Sequence, residues 1–162
     1  MGALSRLDRR LGCALREATG AVPGGARCAH LVARAMSPAF RLAVAALIAR
    51  RDTRRAGLEA LGLGAVASIA ARMLRDRLGR PRPGARADGG FPSRHAAAAV
   101  AIARAVGRHD AAAGRALTAL AAAGLLARVA SAEHEPGDVV AGALLGALAA
   151  GSLEWIAGDR IG

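Results

Sequence analysis

At 162 residues the chain is sized for one domain, and its composition is lopsided: 45 Ala, 21 Gly and 23 Arg, with no Lys and no Tyr. A mean hydropathy of +0.31 beside 22% charged residues is too apolar for a disordered tail, while the 36 Leu, Ile, Val and Phe residues are few for an ordinary soluble core. The scarcity of β-branched and aromatic residues argues against a β-rich fold, and with only Phe40, Phe91 and Trp155 as aromatics there is no base-stacking platform for nucleic acid. The net charge of +11 is all arginine on its positive side, which suits anionic partners such as phosphoesters, lipid headgroups or nucleic acid. Codon bias toward Arg and Ala accounts for most of the totals, so where the arginines sit matters more than their number. Cys13 and Cys28 have neither metal-ligand spacing nor a disulfide framework and read as small apolar side chains.

In chain order, residues 3–18 place Leu4, Leu7, Leu11 and Leu15 at helical spacing opposite Arg6, Arg9, Arg10 and Arg16. That stripe predicts an amphipathic helix, either lying on a membrane surface or packing in a soluble bundle. The same charges, with Asp8, interrupt any apolar core of a secretory signal. No uncharged run reaches the ~18 residues that declare a membrane span unaided. Extending the apolar runs by one turn at their arginine ends gives candidate spans near 31–49, 56–74, 94–108, 115–130 and 138–156. The first is the weakest, because it holds Arg34 and Arg41.

Charged or proline- and glycine-bearing connections separate these spans: Arg50 to Arg55, a long loop from Arg75 to Pro92, Arg108 to Gly114, and Glu133 to Asp138. The fold expected is all-α: a polytopic membrane helix bundle of about five spans plus the N-terminal amphipathic helix. Residues 1–29 form the N-terminal segment and 30–162 the membrane domain. The alternation puts the 75–93 and 131–138 loops on one side, which the excess of arginine at 50–55, 104, 108 and 115 makes extracytoplasmic in a plasma membrane. The 75–94 loop is itself arginine-rich, so either the charge rule is uninformative here or those arginines are retained for binding.

Three segments on that side carry the chemistry. They are Arg75 through Arg82-Pro83, then Phe91-Pro92-Ser93-Arg94-His95, and then Arg128 six residues before His134, itself four before Asp138. In this order and spacing they resemble the signature of the type-2 phosphatidic acid phosphatase superfamily of lipid phosphate phosphatases, whose site vanadium haloperoxidases share. That signature is K-x6-R-P, P-S-G-H and S-R-x5-H-x3-D. Against this composition all three in order have a chance expectation of ~10⁻⁵ or below, with the histidines deciding it. The resemblance covers roughly residues 56–156. The departures are Arg75 for lysine, Ala127 for serine, and Arg94 for glycine; the last adds bulk and charge beside the phosphate site.

The resemblance implies an acid-phosphatase-like bundle hydrolysing a lipid-linked phosphate or diphosphate, of polyprenyl or phosphatidate type, with no metal or other cofactor. It makes His134 the nucleophile that forms a phosphohistidine, Asp138 the partner that orients it, and His95 the acid and then base. Arg75, Arg82 and Arg128, with Ser93 and Arg94, form the phosphate cradle at a helix start. The partners implied are the lipid phosphate and the bilayer, not nucleic acid. Two other readings stand beside it: a basic helical protein drawn to nucleic acid by charge, and a non-catalytic scaffold of the same fold, hinted at by Arg94. A vanadate-dependent peroxidase is a chemically adjacent third. Taken alone, His134 and Asp138 could be a helix-entry pair, Ser93 an N-cap, and Glu133 and Glu135 solvated loop charges.

Overall fold

The computed structural model describes the backbone of residues 3–78 and 90–158 and the side chains of 5–78 and 90–152. Arg82, Pro83, Arg80 and Arg86 lie outside the described residues, as does Trp155's side chain. Among the described residues all regular structure is helical: α1 Ala3–Gly20, α2 Gly25–Ala49, α3 Arg54–Leu78, α4 Arg94–His109, α5 Ala111–Ala130 and α6 Pro136–Gly158. The five spans expected from sequence correspond to α2 through α6. Three of these helices, α2, α3 and α5, are long and apolar enough to cross a membrane, and Pro136–Ser152 is a shorter apolar stretch.

Two expectations need correction. Arg75 is not in a loop: α3 runs on to Leu78, which puts Arg75 in its last turn, where a cation suits the helix dipole. The polar connection foreseen from Arg108 to Gly114 shrinks to Asp110. The Asp110 carboxylate caps α5 by accepting from the amides of Ala112 and Ala113 at 2.8 and 3.0 Å, so α4 turns directly into α5.

α4 is the central helix and packs against α3, α5 and α6. Its buried side chains are almost all alanine (Ala96, Ala97, Ala99, Ala101, Ala103 and Ala105), so neighbouring backbones approach closely where bulky residues would hold them apart. Larger side chains fill the layer between α2 and α5, where Met36, Phe40, Val44, Leu117 and Leu125 are buried. The outward faces carry exposed Leu42, Val66, Ile69, Leu126, Leu144 and Leu148, the pattern of helices surrounded by lipid. At the end away from Ser93, Arg108 and His109 both bind the Glu59 carboxylate and so tie α4 to α3. The His109 Nε2 to Glu59 distance is 2.8 Å.

The leucine stripe of α1 packs inward only in part, Leu15 being half-buried. Leu7 and Leu11 are more than half exposed, while Asp8, Gly12 and Arg16 face the bundle. This inversion suits a helix with lipid on its outer side and the polar protein end on its inner side. α2 begins at Gly25, within the N-terminal segment assigned to residues 1–29.

α6 approaches the start of α4 closely at two glycines: a Cβ at Gly142 would overlap the Ser93 carbonyl oxygen and one at Gly146 the Ala97 carbonyl oxygen. By contrast, Gly62 on α3 has open space around it. Gly142→Ala is expected to cost about 1–3 kcal/mol through overpacking, whereas Gly62→Ala is expected to be neutral or stabilising. Thermal melts of the two variants in the same detergent check this.

Candidate active site

The site is built where the N-termini of α4 and α6 meet the C-terminus of α5. Ser93 caps α4: its backbone is extended and its Oγ accepts from the Ala96 amide at 3.4 Å. The Ser93 amide donates to the carbonyl of Asp138, in the first turn of α6, at 2.9 Å. The two helix starts are therefore joined through backbone before any side-chain chemistry is considered.

Across this joint the Ser93 hydroxyl lies 3.2 Å from Nε2 of His134, and His134 Nδ1 lies 3.4 Å from Oδ2 of Asp138. All three side chains are buried, His134 and Asp138 at 1% exposure. The carboxylate beside Nδ1 favours the tautomer that carries its proton there, which leaves the Nε2 lone pair facing the serine hydroxyl. A separation of 3.4 Å is long for a hydrogen bond, and catalytic contacts of this kind commonly tighten when substrate enters. Asp138 is also a local structural element. Its Oδ2 accepts from the Glu135 amide at 3.0 Å, reaching back from the third helical position as in a capping box, after Pro136 at the first. The helix-entry role and the imidazole contact coexist in one carboxylate.

His134 is presented by the turn that ends α5. Ala132 adopts a left-handed conformation (φ 58°), and the amides of Glu133 and His134 both return to the Arg128 carbonyl at 2.9 and 3.3 Å. A non-glycine residue in this region is costly, and the surrounding hydrogen bonds hold it there. Arg128 is itself 6% exposed. Its guanidinium pairs with Glu133 and donates to the Ala33 carbonyl at 3.1 Å, with Ser37 Oγ at 3.5 Å.

The other sequence-assigned residues are distributed less evenly. His95, half-buried in the first turn of α4, and exposed Arg94 both line a cavity of about 520 Å³ between α2, α3 and α4. Arg75, with its side chain 13% exposed, lies 3.6 Å from Asp76. Ser37, within reach of Arg128, lines the same cavity, so the buried cluster and the cavity adjoin. Arg82 lies outside the described residues.

Four side chains bear on the site without having been assigned to it from sequence. Glu133 and Glu135, read as solvated loop charges, are the partners of Arg128 and Arg16, and Glu135 is only 5% exposed. Asp8 of α1 accepts from the Gly137 amide at 2.7 Å, placing a carboxylate at the positive end of α6. Arg16 lies 3.6 Å from Glu135, and a Cβ at Gly12 between them would overlap the Glu135 carboxylate. α1 thus crosses the 133–138 connection and clamps it on both sides of Pro136. Asp8 and Arg16 are eight residues apart on an amphipathic helix, and in sequence they look like any other interfacial charges.

Burial pushes the Glu135 carboxyl above its ordinary range, with Arg16 opposing and Asp8 reinforcing. A raised carboxyl contributes its stability where it is protonated in both the folded and unfolded chain, and loses it as pH rises through the folded value. Glu135→Gln removes that loss. The melting temperature of the variant relative to the parent should therefore increase from acid toward neutral pH, and a flat difference across that range would contradict the assignment. Asp8→Asn should cost about 1 kcal/mol by weakening the charge at the α6 N-terminus, read as a lower melting temperature.

No family model and no curated protein matches the chain by sequence. Among solved structures, the chain superposes on the first transmembrane PAP2 type phosphatidylglycerolphosphate phosphatase from Bacillus subtilis. The TM-score is 0.72 and the identity 20%, over 96% of this chain and 89% of that one. The helix order found here and the motif spacing read from sequence therefore converge: this chain has the fold of a PAP2-type membrane phosphatase.

Proposed function

We propose that the protein is a membrane phosphatase that hydrolyses a lipid-linked phosphate or diphosphate at the membrane interface through a phosphohistidine. The observation that carries this reading is the buried line Ser93–His134–Asp138, strung across two helix N-termini beside an arginine. A structural helix-entry pair would not need an imidazole buried to 1% with its second nitrogen against a serine hydroxyl.

A phosphate monoester carries close to two negative charges, and attack on it requires their neutralisation. Arg75, Arg82 and Arg128 supply guanidinium forks to the nonbridging oxygens, and Arg94 adds a cation at the cavity side. The α4 N-terminal amides and the Ser93 hydroxyl complete the cradle, the hydroxyl turning from His134 to the phosphate as it binds. That rotation frees the Nε2 lone pair, which forms a bond to phosphorus as the bond to the leaving oxygen breaks. His95 gives its proton to that oxygen, and Asp138 stabilises the positive charge developing on the His134 ring. In the second half, His95 takes a proton from water, whose oxygen attacks phosphorus. The P–N bond breaks, releasing inorganic phosphate and restoring His134. The sequence uses protein groups alone and needs no metal.

The cavity beside Arg94 and His95 runs toward Val44, Ile48, Leu61 and Ile102, and its apolar far end suits a lipid tail. The substrate class is therefore polyprenyl or phosphatidate-type lipid phosphates, with phosphatidylglycerol phosphate, named for the Bacillus neighbour, as one member. The proposed location is a plasma membrane with the site on the extracytoplasmic face, and residues 30–162 as the catalytic membrane domain.

The test is release of inorganic phosphate from lipid phosphates in detergent micelles without added metal. His134→Ala and His95→Ala should each lower kcat by about a hundredfold or more, and Asp138→Asn by a similar factor. Acid-labile phosphate trapped on the parent but missing from His134→Ala would identify the nucleophile. Unchanged turnover in either histidine variant removes that residue's role, and no turnover by the parent on any lipid phosphate favours the scaffold reading.

A further inference from the structure

Arg41 is not used by the phosphate cradle. It sits in the interior of α2, a helix long and apolar enough to cross a membrane, where an arginine is expensive unless it has a task. It lines the same cavity as Ser37, Arg94 and His95. Among the described residues no carboxylate pairs with it or with Arg94.

Its place along the helix is informative. The Ala33 carbonyl and Ser37, both on α2, meet the Arg128 guanidinium and so mark the level of the cradle. Arg41 is one turn beyond Ser37, about 6 Å along the axis. Side chains on a helix lean toward its N-terminus, which for α2 is the cradle end, so Arg41 leans back toward the phosphate site. Beyond it the cavity wall becomes apolar at Val44, Ala45 and Ile48. Along α2, Ser37 and then Arg41 are the polar lining residues, and beyond Arg41 the lining on this helix is apolar only.

Resting on the phosphatase reading above, we infer that Arg41, which lines the cavity together with the cradle's Arg94, forms a second anion subsite. It reads a phosphodiester that lies one glycerol unit inward from the phosphate being removed. A terminal monoester held in the cradle, a three-carbon spacer and an internal phosphodiester span about one helical turn. In a diphosphate, a single oxygen joins the two phosphoryl groups and both stay within the cradle. Lipids with one phosphate leave Arg41 unpaired against the tail. The subsite therefore selects glycerophospholipids with two separated phosphates over phosphatidate and over polyprenyl diphosphates.

The experiment measures kcat/KM of the full chain in detergent micelles on phosphatidate, phosphatidylglycerol phosphate and a polyprenyl diphosphate, for the parent, Arg41→Gln and Arg41→Lys. The readout is the ratio between substrates within one preparation, which does not depend on the fraction of protein folded. Arg41→Gln should lower the ratio of phosphatidylglycerol phosphate to phosphatidate at least tenfold, chiefly through KM, and Arg41→Lys should restore part of it. The ratio of diphosphate to phosphatidate should move less than threefold. A ratio unchanged by Arg41→Gln, with all substrates affected alike, makes Arg41 an interfacial charge and overturns the inference while leaving the phosphatase reading intact. A larger fall on the diphosphate assigns the subsite to the diphosphate's inner phosphate and overturns it as well. If the parent releases phosphate from none of the three, the phosphatase reading fails and this inference with it.

Discussion

The structure turns on the hydrogen bond from the Ser93 amide to the Asp138 carbonyl. It fixes the start of α4 against the start of α6, so two helix N-termini, each with unsatisfied amides and a partial positive charge, point into one small volume. Everything that could hold an anion follows from that joint. The serine that caps one helix touches the imidazole, and the aspartate that caps the other sits behind it. Helix capping supplies part of the satisfaction that such a buried polar cluster needs, Ser93 Oγ and Asp138 Oδ2 each accepting from a backbone amide. His134 Nδ1, beside the Asp138 carboxylate, is left without a hydrogen bond among the described residues.

The joint requires close backbones, and that explains the composition. An α4 face of alanine, with Gly142 of α6 against the Ser93 carbonyl, brings three helices around α4 to distances that leucine-rich faces would prevent. The larger side chains are kept for the α2–α5 layer and for the lipid-facing surface. Where α2 draws away from α3 and α4, the packing opens into the cavity that begins beside His95 and ends among aliphatic side chains. One packing rule thus produces both a tight site and an adjoining apolar space.

The charged groups around the site are held in a fixed order from the outside inward. α1 turns Leu7 and Leu11 outward and applies Asp8 and Arg16 to the connection that carries His134. Glu133 orients Arg128 from within the same connection, and α2 contributes the Ala33 carbonyl. A guanidinium restrained from several directions is pre-organised, so less entropy is lost when an anion replaces one of its neighbours. α1 is therefore part of the site's support and more than a surface anchor.

Much of this was legible from the residues alone, because it is local. Helical periodicity and the charged breaks between apolar runs located the helices α2 through α6, to within six residues at their ends, although among the described residues only three of them are long and apolar enough to cross a membrane. The offsets of Pro136 and Asp138 from His134 made the helix-entry part of the cluster legible, because capping and i,i+4 geometry depend only on sequence distance, whereas the contact of Ser93 with His134 came from the packing of α4 against α6. Other features depend on contacts between residues far apart in the chain. Leu7 and Leu11 of α1 face outward because Asp8 and Arg16 find partners about 120 residues away, and Glu133 is half-buried and Glu135 buried because arginines reach them. No periodicity distinguishes such charges from solvated ones. Whether Arg41 lines a cavity or merely faces lipid was likewise settled by how α2 crosses α3 and α4, since a burden shared among three helices has no signature in any one of them.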